Sequence, residues 1–235
     1  WMEVKAGDAQ GFMTALEIAN GNNAAANAAR TFIFLPNGTY DLGDKCLTPI
    51  SGNNISIIGE SMDNTIIVNK PEVEGIGVTA TLFNTSTGLY MQDLTLKNAY
   101  PFDKSTGRAV CLQDKGTQTI CKNVKMLSYQ DTYYSNNNKG QYYFENSDIH
   151  GIVDFICGGG DVFFNKCTLT LEPGKGSYIT APYTDGSDYG YVFDGCKIVG
   201  SATDSFTFGR SWGGTAKCAF LNTILDKNAA ANIAS

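Results

Sequence analysis

The sequence predicts an all-β protein, a single-stranded right-handed parallel β-helix carrying a short amino-terminal helix. Three observations point there. The 235-residue chain holds 26 glycines and only 17% charged residues, a bias away from helical bundles and toward stacked strands and turns. From Thr31 onward it breaks into short β-rich pieces bounded by Gly, Asn, Asp or Pro. One six-residue block then recurs six times, which is the mark of a repeat architecture.

The elements follow in order. Asp8 is placed to cap a short helix that carries Phe12, Ala15, Leu16 and Ala19 at helical spacing, and Asn20 to Ala29 is a polar connection after it. No other segment reads as a helix. Strands are expected at Phe32–Leu35, Ile55–Ile58, Thr65–Val68 and Leu94–Leu96. The repeated blocks run Met91–Leu96, Cys121–Met126, Phe144–Ile149, Phe164–Leu169, Phe193–Ile198 and Phe220–Leu225. Each opens on an apolar residue and closes on an aliphatic one or Met, and the first positions lie 30, 23, 20, 29 and 27 residues apart. Their fourth positions, Leu94, Val124, Ser147, Cys167, Cys196 and Thr223, are mostly small, as an inward column requires. Uneven spacing fits a solenoid whose turns vary in length on the side that builds a groove. Parallel connections are right-handed by rule. An antiparallel sandwich is the rival, and it lacks hairpin signals apart from Asn37-Gly38, Asp185-Gly186 and Asp194-Gly195. One domain is expected over 1–235.

Composition also excludes. With 17 basic and 23 acidic residues the net charge is −6, and no dense Lys/Arg cluster offers a footprint for nucleic acid. No apolar run approaches a membrane span. The chain begins at Trp1 with no basic-then-apolar leader, so a removed signal peptide or a fragment is expected. Seven cysteines without a C-x-x-C pair, and His150 as the sole histidine, leave no zinc pattern. Most of the cysteines are expected as buried thiols, and His150 as a packed or exposed residue of the solenoid. Three Asn-x-Ser/Thr acceptor patterns begin at Asn37, Asn54 and Asn84.

Chemistry without a metal, a Cys–His pair or a Ser–His–Asp set must rest on carboxylates, amides and arginine. Four clusters offer them: Gln130-Asp131-Thr132-Tyr133-Tyr134, Gly151 to Gly158, Phe208 to Gly213, and Gly107 to Leu112. Asp131 and Asp154 lie 23 residues apart, close to one solenoid turn, which would set them on adjacent rungs of one face. Two such carboxyls split in pKa, one ionised and one able to hold a proton.

The Gln-Asp-Thr stretch at 130–132, the G-x-V-D-F-I-x-G stretch at 151–158 and the G-R-x-W-G stretch at 209–213 resemble the pectin methylesterases. Those are parallel β-helix enzymes that remove methyl groups from homogalacturonan, and the likeness runs along nearly the whole chain. It implies Asp154 as nucleophile, oriented by Arg210, and Gln130 as oxyanion donor. It implies Asp131 as the acid that protonates methanol and then the base that activates water. Trp212, Tyr134, Thr81 and Arg108 are implied as substrate contacts, with no cofactor and no metal. Arg108 stands where the family usually has a glutamine. There it could stabilise an oxyanion, bind a free carboxylate of the polymer, or pair with an active-site aspartate. Cys157 and Ser211 also depart from the pattern, and the family usually continues beyond Ala229–Ser235, so a carboxy-terminal truncation is expected. Pectin is the implied partner, with a monomer and a secreted, periplasmic or cell-surface location. The alternatives are a polysaccharide lyase on a similar solenoid and a non-catalytic or weakly active pectin-binding β-helix. Arg108, Arg210 and Lys139 are expected to make the groove locally positive within an acidic protein that releases its polyanionic product.

Overall fold

The computed structural model describes residues 1–103 and 107–234. The chain winds through about eight turns, and every pairing between its named strands is parallel. That pattern is a parallel β-helix and excludes the antiparallel sandwich.

The turns lay their strands on three faces. The first face carries Met2–Glu3, Thr31–Leu35, Ile55–Gly59 and the leading halves of Tyr90–Asn98 and Thr119–Leu127. It continues with Gln141–Glu145, Asp161–Asn165, Tyr191–Asp194 and Cys218–Leu221. The second carries Gly38–Asp41, Thr65–Asn69 and the trailing halves of the same two long strands. Asp148–Gly151, Thr168–Leu171, Lys197–Val199 and Ile224–Leu225 complete it. The third face is a separate sheet of Thr48–Ile50, Leu82–Asn84, Leu112–Asp114, Tyr133–Ser135, Val153–Gly158, Ser177–Pro182 and Phe206–Gly209.

The repeated block is the corner between the first two faces. Its first positions, Met91, Cys121, Phe144, Phe164, Phe193 and Phe220, are register partners in that order. Its sixth positions, from Leu96 to Leu225, are partners likewise. The four phenylalanines stack with successive centroid separations of 5.0, 4.4 and 4.4 Å, close contacts that add to simple burial. Leu94, Val124, Ser147, Cys167 and Cys196 fill the fourth column and are buried, as the sequence implied. The third position, which the apolar pattern passes over, makes the corner itself. Asp93, Asn123, Asn146, Lys166, Gly195 and Asn222 all have φ between +48° and +63°. Asn, Asp and Gly enter that left-handed region at least cost. The Asp194-Gly195 pair is therefore a corner, and its hairpin signal is misleading.

The amino-terminal helix spans Ala9–Asn22 and is capped as expected, with Asp8 Oδ1 accepting from the Gly11 N–H at 2.9 Å. Phe12, Ala15, Leu16 and Ala19 are its buried face, packed on the first turns of the coil. A second helix, Lys227–Asn232, was not expected. Its six residues are too few for a periodic signal, but Asp226 caps it, accepting from the Ala229 N–H at 2.8 Å, and Ala229 is buried.

Cys111, Cys121, Cys157, Cys167 and Cys196 are buried free thiols, while Cys46 and Cys218 are less covered. Asn84 is fully buried and donates to Asp114 Oδ1 at 2.8 Å, so the folded protein offers no glycan acceptor there. His150, packed on the second face, bonds Glu172 through Nδ1 at 2.7 Å and Asp148 through Nε2 at 3.0 Å.

Candidate active site

Where the third-face strands begin, Arg108 and Gln130 ahead of their strands and Val153 at the start of its own join three successive turns through isolated parallel bridges. Register partners point the same way, so Arg108 and Gln130 leave adjacent rungs side by side. Asp131 and Asp154 follow them on adjacent rungs, with the Asp131 N–H donating to the Val153 carbonyl at 3.2 Å. Both aspartates have left-handed backbones, at φ +59° and +50°. Asp154 also lies where Val153 pairs with Tyr178 but Ile156 already pairs with Thr180, a one-residue slip of register. Such a bulge takes a side chain out of the strand's alternation and re-aims it.

The two carboxyls are equally covered, each 5% exposed, and differ in their partners. Asp154 takes a two-pronged bond from Arg210, Nε to Oδ1 at 3.0 Å and Nη2 to Oδ2 at 2.6 Å. That fork is the arrangement of a guanidinium on an ionised carboxylate. The Arg210 N–H donates to the Thr180 carbonyl at 3.0 Å, and its guanidinium lies over Tyr178 at 4.5 Å and Trp212 at 5.4 Å, so aromatic faces hold it on both counts. Asp131 has no such cation. Burial first, and then the charge of Asp154, push its carboxyl up to about 7, against the pull of Arg108 and a hydrogen bond with the Cys157 thiol. Burial likewise pushes the Cys157 thiol far up, so it stays protonated. One carboxyl paired with a cation beside one that keeps its proton near neutrality is the division of labour that acid–base and nucleophilic chemistry requires.

These groups line a cleft of about 730 Å³. Tyr134, Cys157 and Ala181 are register partners and form its floor. Trp212 stands at the rim, 59% exposed. Its backbone N–H donates to the Pro182 carbonyl at 3.1 Å. Gly213 beside it has φ +86°, and a Cβ there would lie 2.0 Å from the Tyr183 ring, so only glycine lets this turn rest on Tyr183.

Gln130, Asp131, Asp154, Arg210, Trp212, Arg108 and Tyr134 thus come together in one cleft. Thr81 does not. It is fully buried with its hydroxyl donating to Asn69 Oδ1 at 2.6 Å, so it serves a corner inside the coil and cannot meet a ligand. Arg108 is not paired with either aspartate; its partner is Glu74, at 2.6 and 2.7 Å. Lys139 does not line the cleft and bonds the Gly186 carbonyl instead. Since Arg108 and Arg210 each face a carboxylate, the expected local excess of positive charge is absent from the lining. Sequence reasoning missed Glu74, Ile76 and Tyr178. Glu74 and Ile76 sit on a loop without repeat or motif. Tyr178 had a signal only through its strand, two residues before Thr180. Among the described residues, no group of three or more His, Cys, Asp or Glu is placed to hold a metal ion.

A family model described as Pectinesterase matches residues 3–232. The chain belongs to the pectinesterase family. Pectinesterase 1 of Olea europaea is 31% identical over 206 residues, which cover 84% of this chain and 55% of that protein. A pectin methylesterase solved in complex with a hexasaccharide superposes with a TM-score of 0.76 at 26% identity, over 93% of this chain and 75% of that one. The pectin methylesterase of Erwinia chrysanthemi gives 0.75 at 26% identity over the same shares. The chain spans about half the length of the curated pectinesterases it matches. No helix among the described residues is long and apolar enough to cross a membrane.

Proposed function

We propose that this pectinesterase-family chain acts as one β-helix catalytic domain, a carboxylic ester hydrolase that removes methyl esters from homogalacturonan and releases methanol. The observation that carries this reading is the unequal carboxyl pair, Asp154 forked by Arg210 and Asp131 raised to about 7 on the neighbouring rung.

In the proposed sequence, the Asp154 carboxylate attacks the ester carbonyl carbon and the oxygen gains the electron pair of the C=O bond. The Gln130 amide, leaving the rung beside it, donates to that oxyanion. Collapse of the tetrahedral intermediate breaks the bond to the methoxy group, which takes the Asp131 proton and departs as methanol. An anhydride between Asp154 and the galacturonate remains. Asp131, now a carboxylate, takes a proton from water, whose oxygen attacks the anhydride and restores Asp154. Trp212 offers a sugar ring an apolar face at the rim, and Tyr134 and Arg108 meet the chain along the floor and wall. The scheme calls for no cofactor. Its substrate is a polymer too large to enter a cell intact, so the enzyme works outside the cytoplasm, secreted, periplasmic or at the cell surface; we propose a monomer.

Methanol release from highly methylated pectin, with chelator present and unsaturated products assayed in parallel, tests the proposal. Methanol without unsaturation is expected. Unsaturated product would point to a lyase, and neither product from folded protein would point to a pectin-binding β-helix.

A further inference from the structure

Arg108 enters the cleft from the rung before Gln130 with its fork already filled. Nε donates to Glu74 Oε2 at 2.6 Å and Nη2 to Glu74 Oε1 at 2.7 Å. Glu74 sits on the loop that brings Ile76 to the cleft wall, and the Gly75 N–H ties that loop to the rung through the Arg108 carbonyl at 2.8 Å. A uronate carboxylate approaching this guanidinium would use the same two donors in the same plane. The pair lies at the rim, its side chains 47% and 22% exposed. It is therefore worth little to the fold and stands open to competition from solution. Arg108 in turn holds the Glu74 carboxyl below its ordinary range through these hydrogen bonds, which favours the charged form that fills the fork.

We infer that Glu74 is a specificity-determining residue: it occupies Arg108 as an internal stand-in for a demethylated galacturonate, so the rim next to Gln130 gives no reward to a free carboxylate. The inference rests on the esterase reading and deepens it. A carboxylate tethered on the same chain competes at an effective concentration far above that of a polymer's uronates. Methylated units lose nothing by this, having no charge to place there. Demethylated units find the guanidinium taken, and the cleft sheds its polyanionic product. Without Glu74, the same arginine becomes an exposed cation in a groove that meets an anionic polymer.

The test is binding of unmethylated hexagalacturonate by calorimetry to the parent, Glu74→Gln, Arg108→Gln and the double variant, at about 20 mM and about 0.5 M salt. Glu74→Gln should bind roughly fivefold to tenfold more tightly than the parent at low salt, falling to under about twofold at high salt. Arg108→Gln and the double variant should bind no more tightly than the parent. Glu74→Ala serves as a second variant with the same expectation if Glu74→Gln fails to fold. Unchanged affinity in the Glu74 variants, or equal tightening in the double variant, would overturn the inference. Methanol release by the parent is measured beside it, so a failed esterase reading shows as missing methanol and a failed Glu74 role as unchanged binding.

Discussion

At the corner between the first and second faces, six successive turns place a residue at φ between +48° and +63°, and in the cleft Asp131 and Asp154 adopt the same conformation at +59° and +50°. The corner residues form a column. Asn123 donates to the corner Asp93 of the turn before it at 2.9 Å, and Asn222 donates to Asp194, the residue preceding the corner Gly195 of the turn before it. The cleft aspartates lie outside any such column, one beside an isolated bridge and the other on a slipped register, and their carboxyls meet a guanidinium, a thiol and each other's charge. Left-handed backbone by itself therefore marks nothing about function. What separates the two regions is where the side chain goes once the backbone has turned: along the stack in one, into an open cleft in the other.

That contrast can be broken from either side. On the proposed mechanism Asp154→Asn keeps the shape and removes the attacking carboxylate, so methanol release should fall by roughly three orders of magnitude or more while thermal stability changes little. Asp131→Asn should cost about two to four orders of magnitude in the same assay. In the parent, since the proposed first step needs Asp131 protonated and its carboxyl is raised to about 7, kcat/KM should fall as pH rises through about 7. Phe164→Ala, in the middle of the ring stack and in contact with Tyr133 and Tyr191, should lower unfolding stability by about 3–5 kcal/mol in denaturant titration, with the cleft chemistry intact in the folded fraction.

Two smaller effects sharpen the comparison on the structural side. At His150 burial opposes the charge, but hydrogen bonds to Asp148 and Glu172 outweigh it and raise the imidazole to about 9. A raised folded-state value stabilises fully below the unfolded value of about 6.5, and that contribution is lost as pH rises through about 9. His150→Gln should therefore cost about 1–2 kcal/mol near pH 6 and almost nothing near pH 10, measured by thermal unfolding across pH. Asn123→Ala should cost about 1 kcal/mol, through its left-handed backbone and the lost bond to Asp93, and Asn123→Gly clearly less.

The stack was legible because its signal repeats. First, fourth and sixth block positions face the core on every turn, so six copies announce the column even though each alone is only a short apolar run. The corner was overlooked because Asp, Asn, Lys and Gly share a backbone angle and no hydropathy. In the site, Asp131, Asp154, Gln130 and Arg210 carried local motifs, and the near-coincidence of 23 residues with one turn placed the aspartates on neighbouring rungs. Thr81, which only the family resemblance implied as a substrate contact, misled because nothing in its local sequence shows whether it faces a groove or serves a corner, and its bond to Asn69 decides. Glu74 was invisible for the opposite reason: it reaches Arg108 across 34 residues from a loop with no pattern of its own.

The aspartate pair inherits its spacing from the backbone. Neighbouring strands lie roughly 4.8 Å apart because peptide hydrogen bonds have one length, and no side-chain replacement alters that pitch. The coil is thus a ruler, with carboxyl groups hung from consecutive marks. Variation in such a protein can exchange what hangs from a mark, as with an arginine at 108, and can lengthen or redraw the loops between marks. The distance between the marks stays as it was, so the geometry of this carboxyl pair can survive heavy remodelling of everything around it.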